Sequence, residues 1–229
     1  MTNKKLNLLL FILIILPPAF ILLSRELFEA SYFTSSIYKL IFLFPILFRI
    51  LAEKKKFREA LTEHFSISTF KKNALKALGI GITFITIYVG TFYLFKDKLN
   101  LDNTIAQLNK MAAINVSNVL AIGLYIIVLN SLLEEFFWRG FLFDKLRNNI
   151  TPWLAYLVTG IAFSFHHMVF YYNWFEPVYL VIITVGLSIY AMLMNLIFAK
   201  TKDLFTCWLV HACADIAQIF IALKLFQLL

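Results

Sequence analysis

Charged residues are scarce in this 229-residue chain, and their scarcity argues against an ordinary soluble domain. Asp, Glu, Lys and Arg make up 15% of the sequence, whereas hydrophobic residues make up 61%. Soluble domains carry about 25% charged residues, and apolar runs of about 18 residues or more, which recur here, are typical of membrane-spanning helices. The composition therefore predicts an all-α polytopic membrane protein.

Several other features are absent as well. The two cysteines, Cys207 and Cys213, stand in one apolar segment, so neither a disulfide nor a CxxC metal site is expected. No nucleic-acid-binding motif is present, and the net charge of +8 comes from basic residues at the edges of apolar runs. No repeat or flexible linker divides the chain, so residues 1–229 are predicted to form one integral domain, with N-terminal helices and interfacial loops in 1–117 and the core in 118–227.

Seven apolar stretches are long enough to cross a hydrocarbon core about 30 Å thick. They are residues 6–23, 33–52, 74–95, 118–142, 153–172, 178–199 and 204–227. The first contains Pro17 and Pro18 and lacks a small-residue cleavage site, so we expect a retained helix rather than a removed signal peptide. The distribution of Lys and Arg at the ends of the spans places the N-terminus in the cytoplasm and the C-terminus outside.

Three features within or between the spans lead to further expectations. Residues 53–72 mix charged and hydrophobic side chains, which predicts an interfacial helix on the cytoplasmic side. Residues 97–117 are polar enough to form an external loop. Lys39 lies inside the second span, and we expect it to snorkel toward the outer face rather than to bind a ligand.

The fourth apolar run carries two adjacent carboxylates, Glu134 and Glu135, and the guanidinium of Arg139. A charge at the centre of a membrane helix costs about 2.5–3.5 kcal/mol, so such residues are functional candidates. Glu135 and Arg139 are four residues apart, which predicts an ion pair on one helix face. Glu134 lies about 100° round the helix, beside Asn130 and Trp138. A carboxylate without a cation from its own helix is a candidate general base, with a purely structural charge cluster as the alternative.

Two further spans carry polar residues at membrane depth. In the fifth span His166 and His167 point about 100° apart, so only one of them is expected to face the site of Glu134. In the seventh span His211 and Asp215 are four residues apart and share a face. These groups, on three separate helices, make an explanation by packing alone costly. Zinc accepts such ligands, but no His-Glu-x-x-His motif is present, so metal-free activation of water is favoured over bound zinc.

A count of helical rise tests whether these groups lie at one depth. From the predicted cytoplasmic helix ends, Glu134 lies roughly 15 Å deep, His211 roughly 10 Å and His167 roughly 21 Å, at about 1.5 Å per residue. The counts favour a cavity in the cytoplasmic half of the helix bundle, but the value for the fifth span is discordant.

The order and spacing of these residues resemble the three motifs of the CPBP family, which includes type II CAAX prenyl endopeptidases and bacterial Abi or bacteriocin-processing and self-immunity proteins. The motifs are Glu134-Glu135-x-x-x-Arg139, Phe163-x-x-x-His167 and His211-x-x-x-Asp215. The resemblance covers about residues 118–227, which would form a protease-like core. It implies an intramembrane, metal-independent glutamic endopeptidase without a cofactor.

The resemblance also assigns roles to individual residues. It implies that Glu134 is the general base that activates water, assisted by His167, and it selects His167 over His166. By the same resemblance, Glu135 and Arg139 would brace the site.

The resemblance places His211 and Asp215 at the oxyanion-stabilising positions. Asp215 departs from the Asn that is commoner at its position in the family. An ionised Asp cannot donate a hydrogen bond to an oxyanion, so Asp215 must either be protonated or act by orienting His211 and fixing its tautomer. His211 is therefore the better candidate for the oxyanion role.

Two other classes of function stay open at this point. One is a non-enzymatic bacteriocin self-immunity protein. The other is a proton-coupled transporter, although no inverted repeat or pair of broken helices favours it. For the endopeptidase, we expect a small hydrophobic or lipid-modified peptide as substrate, contact with the lipid bilayer, no nucleic-acid partner and a location in the bacterial inner membrane.

Overall fold

The computed structural model describes residues 3–27, 37–111 and 113–229, and within these ranges the chain is helical without any β-strand. The helices are α1 (Asn3–Leu27), α2 (Phe44–Leu51), α3 (Phe57–Thr62), α4 (Ile67–Phe95), α5 (Leu101–Met111), α6 (Val119–Asn149), α7 (Pro152–Tyr171), α8 (Pro177–Thr201) and α9 (Leu204–Leu225). A 3₁₀ helix, Ile37–Leu43, leads directly into α2. The all-α fold predicted from composition is confirmed.

Six segments of the described chain are long and apolar enough to cross a membrane: α1, the α3–α4 segment, α6, α7, α8 and α9. The protein is therefore an integral membrane protein. Apolar side chains such as Leu75 and Leu94 on α4 are 85% and 77% exposed, as expected of a surface that contacts lipid.

The predicted second span, residues 33–52, is not among these six segments. Residues 33–36 lie outside the described ranges, and the remainder is divided between the 3₁₀ helix Ile37–Leu43 and α2. Pro45 stands in the first turn of α2, where its missing N–H is tolerated, but an uninterrupted α-helix through this position would need that N–H. Within the described residues, the predicted second span is therefore not one continuous α-helix.

The predicted external loop, residues 97–117, contains the helix α5. The side-chain oxygen of Asn100 accepts the backbone N–H of Asn103 at 3.0 Å, which satisfies a free donor at the helix start. Asn103 in turn donates to the carbonyl of Trp174 at 3.0 Å, and Leu108 packs in the same small cluster. A polar composition suggested a loop, but capping and one packed apolar face make this segment helical.

The predicted interfacial helix in residues 53–72 corresponds to α3, a short helix with the exposed Phe57 at its start. The following helix α4 begins at Ile67, seven residues before the predicted third span. The side chain of Ser66 accepts the backbone N–H of Thr69 at 3.3 Å and caps this earlier start.

Arg49, at the end of α2, is fully buried and joins three parts of the chain. Its guanidinium donates to the carbonyl of Ala60 at 2.9 Å and to that of Gly140 at 2.6 Å. Its Nε lies 2.6 Å from Glu63 Oε2, and its Cζ lies 5.0 Å from the centre of the Phe136 ring. Because Gly140 and Phe136 belong to α6, one buried cation holds the α2–α3 segment against the helix that carries the two glutamates.

Glu53 extends these contacts toward the end of α6. It pairs with Lys145 and, at 2.9 Å, with Lys55. Burial raises the pKa of Glu53, but the hydrogen bonds and positive charges of Lys145 and Lys55 outweigh this effect and hold the pKa below its ordinary value. Glu53 is therefore ionised at neutral pH and ties the linker between α2 and α3 to α6.

The start of α9 is held by Asp203, whose side chain accepts the backbone N–H of Thr206 at 2.9 Å and that of Ser66 at 3.0 Å. Along its length α9 packs against α4 at a close approach, where a Cβ on Gly81 would lie 2.5 Å from Cys213 Sγ. These contacts set the position of α9 relative to α4. Both cysteines are free, as predicted.

Candidate active site

Glu134 and Glu135 lie on a short α-helical turn within α6, Ser131–Phe137. A π-helical segment stands on each side of this turn, Ile126–Asn130 before it and Trp138–Phe143 after it. Short π segments inside α-helices are rare and occur frequently at functional sites. They change the angular register of the turn between them, so helical periodicity alone does not give its direction.

Side chains from other elements bind backbone carbonyls in both π segments. The indole N–H of Trp208, on α9, lies 3.2 Å from the carbonyl oxygens of Ile127 and Val128. Arg49 donates to the carbonyl of Gly140 in the second segment. The turn that carries the two glutamates is therefore held from both sides by tertiary contacts.

Glu135 is fully buried and contacts both a guanidinium and an imidazole. Its Oε1 accepts a hydrogen bond from Arg139 Nη1 at 2.9 Å, so the ion pair predicted from the four-residue spacing is present. The same oxygen lies 2.7 Å from Nδ1 of His211 on α9, a contact that the sequence did not suggest. The Cζ of Arg139 also lies 4.4 Å from the centre of the Phe163 ring on α7. Glu135 and Arg139 therefore connect all three helices of the site.

Glu134 is 3% exposed and faces imidazoles from two other helices. Its Oε1 accepts a hydrogen bond from Asn130 Nδ2 at 2.8 Å. Its Oε2 lies 3.6 Å from Nε2 of His167 and 4.0 Å from Nε2 of His211. This oxygen has no hydrogen-bond partner among the described residues. The three-helix grouping expected from the sequence thus forms around one carboxylate oxygen.

The two neighbouring histidines of α7 have different surroundings. Nδ1 of His167 lies 2.9 Å from the carbonyl of Phe163, which requires the proton on Nδ1 for a hydrogen bond and turns Nε2 toward Glu134. The ring of His166 packs instead against Phe42 and Trp138, with ring centres 5.7 and 5.8 Å apart.

Asp215 is 4% exposed and lies close to His211, but it is not the residue that orients it. Asp215 Oδ1 is 3.8 Å from His211 Nε2, which is too long for a hydrogen bond. The contact that holds the ring comes from Glu135 at Nδ1. The sequence-based alternative in which Asp215 orients His211 is therefore not supported by the geometry, because Glu135 already occupies that position.

Lys39 is the site neighbour that the sequence interpretation missed. It is 8% exposed rather than extended toward water, and its Nζ lies 5.4 Å from the centre of the Tyr125 ring on α6. Its positive charge interacts electrostatically with Glu134 and Asp215. The expectation that Lys39 snorkels is wrong because the tertiary fold encloses it. The available signal was the general rule that a charge within an apolar run marks a functional candidate.

The discordant depths predicted for Glu134 and His167 have a simple cause. The helix α6 continues to Asn149, whereas the predicted depth of Glu134 takes residue 144 as the inner end of the span. Glu134 is thus fifteen residues from the end of α6, and His167 is fifteen residues from Pro152, where α7 begins. The equal counts place the two side chains at the same level of neighbouring helices.

The arrangement of the potential metal-binding side chains does not indicate a metal centre. In the part of the chain that the structure describes, no group of three or more His, Cys, Asp and Glu side chains is placed to hold a metal ion. Independence from metals stays a prediction, which metal analysis of the purified protein tests.

These observations define a class of protein: an all-α integral membrane protein in which three helices bring three carboxylates and two imidazoles together at a site of low exposure. Residues 116–217, which comprise α6, α7, α8 and most of α9, match the family model of the Rce1-like type II CAAX prenyl endopeptidases. The resemblance inferred from the three motifs is confirmed, and this segment contains every predicted site residue. The family that this segment matches is one of endopeptidases. No curated protein and no solved structure matches the chain.

Proposed function

We propose that this protein is an intramembrane glutamic endopeptidase that hydrolyses a peptide bond with water activated by Glu134 and His167. The observation that carries the proposal is the 3.6 Å separation between Glu134 Oε2 and His167 Nε2, on two different helices and at low exposure. Two atoms at this separation can each lie about 3 Å from one shared water oxygen. The geometry is therefore compatible with a general base and an assisting imidazole acting on a single nucleophile.

The proposed reaction uses the groups in a fixed order. Glu134 accepts a proton as the water oxygen attacks the peptide carbonyl, and the carbonyl π electrons move to the oxygen to form a tetrahedral oxyanion. Collapse of this intermediate breaks the C–N bond. The proton held by Glu134, relayed with His167, passes to the leaving amine, so the base returns to its starting state.

His211 is the proposed oxyanion donor. Because its Nδ1 lies 2.7 Å from Glu135, Nε2 is the nitrogen that faces Glu134 and Asp215. To donate to the oxyanion from Nε2 while Nδ1 donates to Glu135, the ring must carry both protons. Three nearby carboxylates favour this charged form.

The proposed substrate is a small hydrophobic or lipid-modified peptide that is cleaved near its membrane-proximal or C-terminal end. The match to CAAX prenyl endopeptidases and the low exposure of the site support this class. The proposed location is a bacterial inner membrane, in which such peptides reach the site from the bilayer.

The test compares wild-type protein with Glu134→Gln and His167→Ala. Purified proteins are incubated with a synthetic farnesylated peptide ending in a CAAX sequence and with its unlipidated counterpart, and the products are identified by mass spectrometry. In parallel, the membrane and secreted peptides of cells expressing each form at equal levels are compared. Glu176→Gln, a change at an exposed glutamate at the start of α8, is the matched control.

Loss of general-base catalysis costs about 10²- to 10⁴-fold in rate, so both site variants are expected to lose detectable cleavage at unchanged abundance, whereas the control cleaves normally. If wild type and Glu134→Gln give the same products from the synthetic peptides and the same cellular profiles, the proposal is wrong. In that case the remaining functions to test are self-immunity through binding of a bacteriocin and proton-coupled transport.

A further inference from the structure

The 3₁₀ helix Ile37–Leu43 presents one face to the proposed site. In a 3₁₀ helix, residues three apart are eclipsed and share a face, as Lys39 and Phe42 do here. Phe42 is fully buried, and its ring centre lies 4.8 Å from that of Phe137 on α6 and 5.7 Å from that of His166 on α7. The face that bears Lys39 is therefore packed against the two helices that carry Glu134 and His167.

The side chain of Lys39 also makes contacts that hold it on this face. Its Nζ lies 5.4 Å from the centre of the Tyr125 ring, within the range of a cation–π contact. It interacts electrostatically with Glu134 and Asp215, and Glu134 interacts with it in turn. A buried ammonium thus lies on the face that packs against the site, and it interacts electrostatically with the two carboxylates that the Glu135–Arg139 ion pair does not include.

Three carboxylates meet at the site, whereas Arg139 and the charged form of His211 proposed above supply only two positive charges. Arg139 is engaged with Glu135 and stacked over the Phe163 ring, so it compensates the charge of Glu135. Two further carboxylates near one another at low dielectric tend to share one proton rather than ionise together. The titratable or charged groups that interact electrostatically with Glu134 are His166, His167 and Tyr171 on α7, Tyr190 on α8, His211 and Asp215 on α9, Lys39, and Tyr125 on its own helix.

We propose that Lys39 is a positioning residue of the site, whose ammonium supplies the counter-charge that keeps Glu134 ionised and able to accept a proton from water. The inference rests on the proposed function, because it concerns the charge state of the proposed base. It assigns no contact with the substrate to Lys39. Its role is to act through Glu134 and Asp215.

The test measures kcat/KM for the synthetic farnesylated peptide across the acidic to neutral pH range in wild type, Lys39→Met and Lys39→Arg. Without the ammonium, Glu134 holds its proton more tightly, so the acidic limb of the profile is expected to move to higher pH. Lys39→Arg keeps the charge and is expected to restore the wild-type midpoint. Lys96→Met is the matched control, because this lysine also lies over a tyrosine ring, 5.8 Å from the centre of Tyr93.

A third variant keeps the test decisive if Lys39→Met is poorly folded. Lys39→Met combined with Asp215→Asn removes one negative charge together with the positive one, and it is expected to return the midpoint toward that of wild type. An unchanged midpoint in Lys39→Met, or a double variant shifted as far as the single one, would overturn the proposal. Absence of cleavage by the wild type would instead refute the proposed function, so the two failures are distinguishable.

Discussion

The Glu135→Gln substitution would measure how much the buried ion pair contributes to the free energy of unfolding. Glu135 and Arg139 are both fully buried, with Nη1 and Oε1 2.9 Å apart, and Glu135 also holds His211. Gln keeps the shape of the side chain but removes the negative charge. Arg139 then remains at low dielectric without its counter-ion, and His211 loses a charged acceptor.

The expected loss follows from these contacts. Breaking a buried pair by removing one partner costs about 3–5 kcal/mol in the free energy of unfolding, because a buried charge is left uncompensated. For a domain of this size the loss corresponds to a fall in Tm of roughly 6–20 °C. Arg139→Met is expected to cost less than Glu135→Gln, because His211 still donates to Glu135. The double variant should be less destabilised than the sum of the two by about 1 kcal/mol or more.

The assay is thermal unfolding of the purified protein in one detergent, with retention of cleavage activity measured on the same samples. The exposed Glu176→Gln change is the control and is expected to stay within about 0.5 kcal/mol of wild type. If Glu135→Gln unfolds within about 1 kcal/mol of wild type, the pair does not brace the site and the reasoning fails.

Two further predictions concern the oxyanion position and the metal. Asp215→Asn is expected to retain cleavage, because the amide can itself donate to the oxyanion. Asp215→Leu removes the negative charge that favours the charged form of His211 and supplies no donor in its place, so kcat is expected to fall by roughly 10²-fold, the cost of losing one oxyanion donor. Equal losses in both variants, measured with the farnesylated peptide, would show that the charge of Asp215 is what matters. Treatment with a chelator is expected to leave activity unchanged, since carboxylate and imidazole activate the water in the proposed mechanism; stoichiometric zinc in the purified protein, together with loss of activity on its removal, would contradict this expectation.

Local patterns in the sequence were sufficient to predict much of the fold and of the candidate site. Apolar runs with few charges predicted the all-α membrane fold, because a chain in hydrocarbon must satisfy its backbone hydrogen bonds within helices. The four-residue spacing of Glu135 and Arg139 predicted their ion pair, because such residues are neighbours on a helix surface. Three motifs on three predicted helices suggested a resemblance that the match of residues 116–217 to the family model then confirmed.

Other features depend on contacts that leave no periodic signal along the chain. The bond between Glu135 and His211 joins residues seventy-six positions apart, and only the packing of α9 against α6 creates it. The sequence predicted that Lys39 extends toward water, but the 3₁₀ helix that carries it packs against the site and buries it.

The sequence by itself determined which residues are costly to bury, because that cost depends on the side chain and on the apolar run around it. Only the tertiary structure decided which of them meet. The π segments that flank Glu134 are held by Trp208 and Arg49 from other elements, so the direction of the glutamate follows from packing rather than from helical spacing.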